Sequence, residues 1–261
     1  MFDYHLHSSI SFDSTCPAAD MVKAAERQQL KEICFTDHWD YNSEPNEPPT
    51  LFDLGDYSTA YDSLQSSELL IRRGVEFGMT AWDTAELTTL LQKRRFDFVI
   101  GSVHSVDGYD PYDKEFWDGK TVRGAYTRYL EEILRCVKTH SDFDVLGHLT
   151  YVCRSSHNPS SEPLLYADYR ELCDAIMKEL IAKGKGMEIN TSGVNQRGVL
   201  LPTADIMRRF RELGGEIVTV GSDAHTADRV GQHIDKALEM AKEVFGYVCT
   251  FCDRKPIFHR L

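Results

Sequence analysis

The sequence predicts an α/β protein, a distorted (β/α)7 barrel of the TIM-like kind in which residues 1–261 form a single domain. Three observations lead there. Short apolar runs alternate with longer stretches of helical period, the pattern of a parallel sheet built from strand–helix units. The chain carries seven such units, and seven close a ring more readily than they leave an open sheet. The length also suits one barrel, since alternating strands and helices commonly fill about 250 residues without dividing.

The strands are read, in order, at residues 2–6, 32–36, 70–77, 96–103, 144–149, 186–190 and 216–221. Between them lie helices at 17–29, 56–67, 84–94, 122–140, 164–183, 204–213 and 228–245, whose starts carry a capping or proline residue. Gly184 and Gly214 stop two of them. Two connections are too long and too rich in Pro, Gly and Asp to be simple links: SEPNEPPTLFDLGD after the second strand and SVDGYDPYDKEFWDGK after the fourth. Both are candidate walls of a substrate pocket. A last run, 247–258, is an added strand or a closing arm.

Composition narrows the function. With 41 Asp plus Glu against 29 Lys plus Arg, the net charge of −12 argues against a nucleic-acid polymer as partner and favours a small substrate. No apolar stretch reaches a membrane span, and the start, MFDYHLHSSISFD, has neither a signal nor a transit pattern, so the chain is read as cytoplasmic with no membrane partner. The seven cysteines are odd in number and scattered, unlike a secreted disulfide framework. Cys249 and Cys252 have zinc-like spacing but lie in a β-forming run, where residues three apart face opposite ways.

The histidines carry the main signal. His5 and His7 end the first strand, His38 the second, His104 the fourth, His148 the fifth and His225 the seventh. In a parallel barrel those carboxyl ends gather at one mouth. Asp13, Asp37, Glu76 and Asp223 fall at the same level. In HLH and DAH, residues two apart on an extended chain would face one side and could share an ion. Mixed imidazole and carboxylate ligands suit zinc, manganese or iron better than magnesium or calcium. His5, His7, Asp13, His38, Glu76, His104, His148, Asp223 and His225 are more groups than one tetrahedral ion can use, so two or three divalent ions are expected, with Glu76 and Asp223 as bridges. Asp37 would point away from His38 and is expected to support rather than ligate. His140, His157, His233 and His259 are read as packing or surface residues.

In their order these motifs, HLH at 5–7, Asp13, TDH at 36–38, Glu76, GSVH at 101–104, His148 in GHL and SDAH at 222–225, resemble those of the polymerase-and-histidinol-phosphatase superfamily. The resemblance implies a distorted seven-stranded barrel with a trinuclear metal centre. GSVHSVDG, GHLTYV before Arg154, EINTSG before Arg197 and the RKPIFHRL ending look like the histidinol-phosphatase branch, a phosphoric monoester hydrolase of histidine biosynthesis. That branch implies Arg154 and Arg197 as phosphate clamps, although VCRSSHNPSS is less basic and aromatic than its counterpart there. It also implies hydroxide activated by the ions attacking phosphorus, with Asp223 or His225 the first choice to protonate the leaving oxygen. Residues 107–117 could meet the substrate's ammonium and imidazole. Two other readings stay open: a relative acting on a nucleotide, sugar phosphate or cyclic phosphate, and a metal-binding module without activity.

Overall fold

The computed structural model describes residues 1–41, 49–83, 85–160 and 162–261. Its parallel strands run in the order β1 (Phe2–Leu6), β2 (Glu32–Phe35), β5 (Leu70–Gly78), β6 (Phe98–Ser102), β7 (Val145–Leu146), β8 (Gly186–Asn190) and β9 (Val218–Gly221). The ring nearly closes where the chain beyond β9 returns to β1: Asp223 N donates to His5 O at 2.9 Å, and His7 N to Ala224 O at 2.9 Å. The seven expected strands are thus present in the expected order. The fifth is shorter than read, because only Val145 and Leu146 pair with both neighbours.

Helices pack outside this ring on faces the sequence makes apolar. In α1 (Ala18–Arg27), Ala18, Met21, Val22 and Ala25 recur at helical spacing and are buried. In α5 (Val122–Thr139), Thr121 caps the start by accepting from Gly124 N at 3.1 Å, and the buried face runs from Ala125 through Tyr129 and Ile133 to Val137. Three of the other helices start later or stop earlier than expected. The second, α2 (Leu54–Tyr61), starts at the cap Asp53, whose side chain accepts from Gly55 N and Asp56 N, and ends at Tyr61 rather than at residue 67. The sixth, α6 (Arg170–Ala182), and the last, α9 (Ile234–Val244), are each preceded by a 3-10 turn where full helix was expected.

Two features were not read from the sequence. A short strand, β3 (His38–Asp40), follows β2 and pairs in parallel with β5, placing His38 directly beside Glu76. It also pairs with β4 (Thr50–Leu51), on the far side of residues 42–48. Residues 43–48 of the first candidate pocket wall, 43–56, therefore lie outside the described residues. The C-terminal run, expected as an added strand or a closing arm, is an antiparallel hairpin of β10 (Tyr247–Cys252) and β11 (Lys255–Arg260). It acts as the closing arm. Phe251 packs 4.7 Å from Phe98 and exchanges backbone hydrogen bonds with the Tyr4 hydroxyl, while Arg254 N bonds Asp97 O just before β6. The hairpin thereby covers the amino ends of the strands and leaves the carboxyl ends open. Cys249 is buried on it and Cys252 half-buried, and all seven cysteines are free.

Candidate metal centre

Each expected ligand reaches the carboxyl end of the barrel by a local route. His5 and His7 leave the end of β1, Glu76 sits on β5, and His38 opens β3 beside it. His104 and His148 each lie two residues beyond a strand, β6 and β7, and Asp13 comes from the loop between β1 and α1. Asp223 and His225 differ from expectation in mechanism though not in place. The DAH segment is not extended: Asp223 has φ 56°, in the left-handed region, and that turn rather than strand alternation aims both side chains inward.

The side chains converge. Nε2 of His7 lies 3.4 Å from both Glu76 Oε2 and Asp223 Oδ1, and Nε2 of His5 lies 3.0 and 3.7 Å from the same two atoms. On the other Glu76 oxygen, Nε2 of His148 is at 2.9 Å and Nε2 of His104 at 3.3 Å. A third group gathers around Asp13 Oδ2, with His225 Nε2 at 2.8 Å and His38 Nε2 at 3.5 Å. Ligand atoms on one tetrahedral zinc, with bonds of about 2.1 Å, stand about 3.4 Å apart, which these spacings match. The clusters overlap, as expected of a shared bridge: among the described residues, four sets of ligand atoms, each within 4.8 Å of one another, include His5–Glu76–His148, His5–His7–Asp223 and His7–Asp13–His38–His225.

Burial tests the fit to cations. Nε2 of His7, which faces both Glu76 and Asp223, is buried with no hydrogen-bond partner in the structure. Leaving such a group unpaired costs about 1–3 kcal/mol, so an ion that accepts its lone pair fits where a packed polar core does not. The electrostatics divide the rings: against their burial, neighbouring carboxylates raise His5, His38, His104 and His225, while His7 is lowered. Burial, with the imidazoles of His225 and His38 adding to it, pushes the His7 ring down to about 3, the neutral state that a metal ligand needs. His104 goes the other way: burial pulls it down, but Asp40 and Glu76 carry it up to about 10. Glu76, against its own burial, is held well below the carboxylate range by His5, His38 and His104.

Two supporting carboxylates escaped the sequence reading. Glu188 on β8 bonds His5 Nδ1 at 2.7 Å and accepts from His148 N at 2.9 Å; Asp40 on β3 bonds His104 Nδ1 at 2.9 Å. The signals were present. Asp40 is two residues from His38, and Glu188 is an acid in a fully buried parallel strand, GMEIN. Asp37 supports rather than ligates, accepting from Ser8 N at 2.7 Å and from the Tyr61 hydroxyl at 2.5 Å. Of the histidines set aside, His140 is buried on the Thr80 carbonyl and His259 bonds Thr250.

The centre opens outward through two joined chambers. The inner one, about 100 Å³, is bounded by Phe12, Asp40, Glu76, Asp110 and the histidines. The outer one, about 560 Å³, is lined by Tyr112, Ser192, Asn195, Gln196, Arg229 and Gln232. Asp13, Tyr151, Arg154, Asp223 and His225 line both and form the passage. Arg154 lies there with its guanidinium 2.6 Å from Asp223 Oδ2 and stacked on the rings of Tyr112 and Tyr151, at 5.2 and 5.0 Å. Arg197 does not join it. Its guanidinium faces the carbonyls of Ser155, Asn158 and Ser160, because Gly198 ends the short helix α7 (Gly193–Arg197) and the side chain leaves on the far side. The expected second wall does contribute: Asp110, raised by burial, bonds the Tyr151 hydroxyl at 3.2 Å. Asp107 instead pairs with Arg128.

Comparison with known proteins agrees with this geometry. A family model described as PHP domain matches residues 3–192. A probable histidinol-phosphatase from Clostridium acetobutylicum is 31% identical over 258 residues, covering 99% of this chain and 96% of that one. A histidinol-phosphatase from Lactococcus lactis subsp. lactis is 32% identical over 259 residues, covering 97% and 95%. A crystal structure of histidinol phosphate phosphatase from Lactococcus lactis subsp. lactis, complexed with zinc, L-histidinol and phosphate, superposes with a TM-score of 0.88 at 31% identity and 98% coverage of both chains.

Proposed function

The chain belongs to the PHP domain family, and from that premise we propose that it is a metal-dependent phosphomonoesterase whose substrate is histidinol phosphate. The single observation that carries the reading is Glu76, whose two oxygens face two different groups of imidazoles at the mouth of the barrel. Two or three divalent ions are assigned to His5, His7, Asp13, His38, Glu76, His104, His148, Asp223 and His225, with zinc, manganese and iron all suited to that donor set. When bound, such ions lower the pKa of a water and neutralise charge on the phosphoryl oxygens. We treat residues 1–261 as one unit, because Asp223 and His225 lie beyond the matched segment yet complete the centre.

The chain's own residues supply the rest. Arg154, at the passage between the chambers, is placed to grip phosphoryl oxygens with a planar fork, and the rings of Tyr112 and Tyr151 keep that fork in plane. Arg197 serves the same group at one remove, by holding the carbonyls of 155–160 that follow Arg154. Of the two residues expected to protonate the leaving oxygen, Asp223 is committed to an ion pair with Arg154, and His225 has Nε2 in the Asp13 cluster and Nδ1 at the Asp223 carbonyl, so neither is free for that role. Among the described residues no helix is long and apolar enough to cross a membrane. A small, charged ester as substrate is consistent with a cytoplasmic site of action.

The test is phosphate release from histidinol phosphate beside a nucleotide, a sugar phosphate and a cyclic phosphate. The reading requires at least a tenfold preference in kcat/KM for histidinol phosphate; a smaller one overturns the substrate assignment and leaves the metal-dependent chemistry.

A further inference from the structure

The inner chamber is filled by the ligand cluster and has room only for the phosphoryl end of an ester, so the organic half must extend into the outer one. Its volume of about 560 Å³ is ordinary for a small-molecule site. What that chamber can recognise follows from where its amide oxygens already point. Oε1 of Gln232 accepts from Asn195 Nδ2 at 2.7 Å and from Arg229 Nη1 at 2.8 Å. The oxygen of Asn195 is itself taken by the His233 ring at 2.9 Å, and that of Gln196 by the Tyr112 hydroxyl at 3.3 Å. Each amide has one carbonyl oxygen and two N–H donors. Both lone pairs of Gln232 Oε1 are thus occupied, so this side chain has only its N–H groups left to offer, beside the unused ones of the Arg229 guanidinium.

We propose that Arg229 and Gln232 form a donor-only wall that reads the organic half of the ester by hydrogen-bonding an acceptor on it, the unprotonated ring nitrogen of histidinol. This rests on the functional reading above. A neutral imidazole offers one acceptor nitrogen, and the wall satisfies it. An ammonium or imidazolium placed there would meet donors and a guanidinium and be repelled, so the wall also fixes which way round the substrate lies.

The substitution Gln232→Glu tests this, because it keeps an oxygen for Asn195 and Arg229 and removes the N–H donors. The ratio of kcat/KM for histidinol phosphate to that for p-nitrophenyl phosphate is expected to fall about tenfold, the effect of one lost hydrogen bond. L-Histidinol should inhibit p-nitrophenyl phosphate turnover about tenfold less strongly, and that turnover also reports that the variant is folded. A ratio and an inhibition constant both within twofold of the parent overturn the proposal. Should the parent chain cleave p-nitrophenyl phosphate but not histidinol phosphate, the functional reading falls, and the wall falls with it before any substitution is made.

Discussion

Glu188 holds His5 from behind: its Oε1 lies 2.7 Å from Nδ1 of the ring, whose Nε2 faces Glu76 at 3.0 Å. The carboxylate sets the ring's orientation and makes Nε2 the lone-pair nitrogen. Its second oxygen accepts from His148 N, so one residue of β8 positions two candidate ligands. Glu188→Gln should therefore lower affinity for the divalent ions about 10- to 100-fold. Competition with a chelator measures this, and an unchanged affinity would separate Glu188 from the centre.

Asp40 does the same for one ring. It bonds only Nδ1 of His104 at 2.9 Å, with His38 Nδ1 more distant at 3.6 Å. Asp40→Asn should weaken one ion of the set, leaving elemental analysis after dialysis about one equivalent short. Loss of every ion would mean that the centre fills as a unit.

The two arginines should separate. Arg154→Lys keeps the charge but loses the fork, and both the KM for the ester and the inhibition constant of inorganic phosphate should rise about tenfold. Arg197→Ala removes the group that ties the 155–160 carbonyls and should lower Tm, with a smaller effect on phosphate inhibition. Equal effects of the two on phosphate inhibition would show that Arg197 turns into the site.

Gly221 is where the site tolerates no side chain. A Cβ there would stand 2.3 Å from the His5 Cβ and 2.5 Å from Glu188 Oε1. Gly221→Ala should cost about 1–3 kcal/mol of stability, as overpacking does, and should lower metal content as well, because the atoms displaced are those that aim His5. Thermal melts and elemental analysis read the two effects; a stable variant with full metal content would contradict the close approach.

Stripping the ions should itself destabilise the chain. Ligands that bind only the folded state add stability by mass action, about 4 kcal/mol at a thousandfold excess over Kd. A chelator should lower Tm by several degrees, and added zinc should restore it.

The sequence made the ligands legible because each sits at or just beyond the carboxyl end of a strand, and strands announce themselves as apolar runs. His5, His104 and His148 needed only that placement. The supports were harder to see. Asp40 lies on β3, which is three residues long and exists because β5 overruns β2 and offers it a partner at Glu76. Glu188 looks from its sequence like any buried acid, and its role depends on an imidazole 183 residues away. Arg197 was read by its nearness to β8, but the direction of a side chain leaving a five-residue helix is decided by tertiary contacts rather than by position in the chain. The left-handed turn at Asp223 is likewise set by the closure of the ring, where its N–H bonds His5 O.

The account stands on several side chains, from His5 to His225, gripping more than one cation together. Elemental analysis of the purified chain after saturation with zinc and removal of free ions measures this directly. Two or three equivalents per chain are predicted, falling to one or fewer in Glu76→Ala. A parent chain that retains one ion or none would contradict the shared centre and the chemistry built upon it.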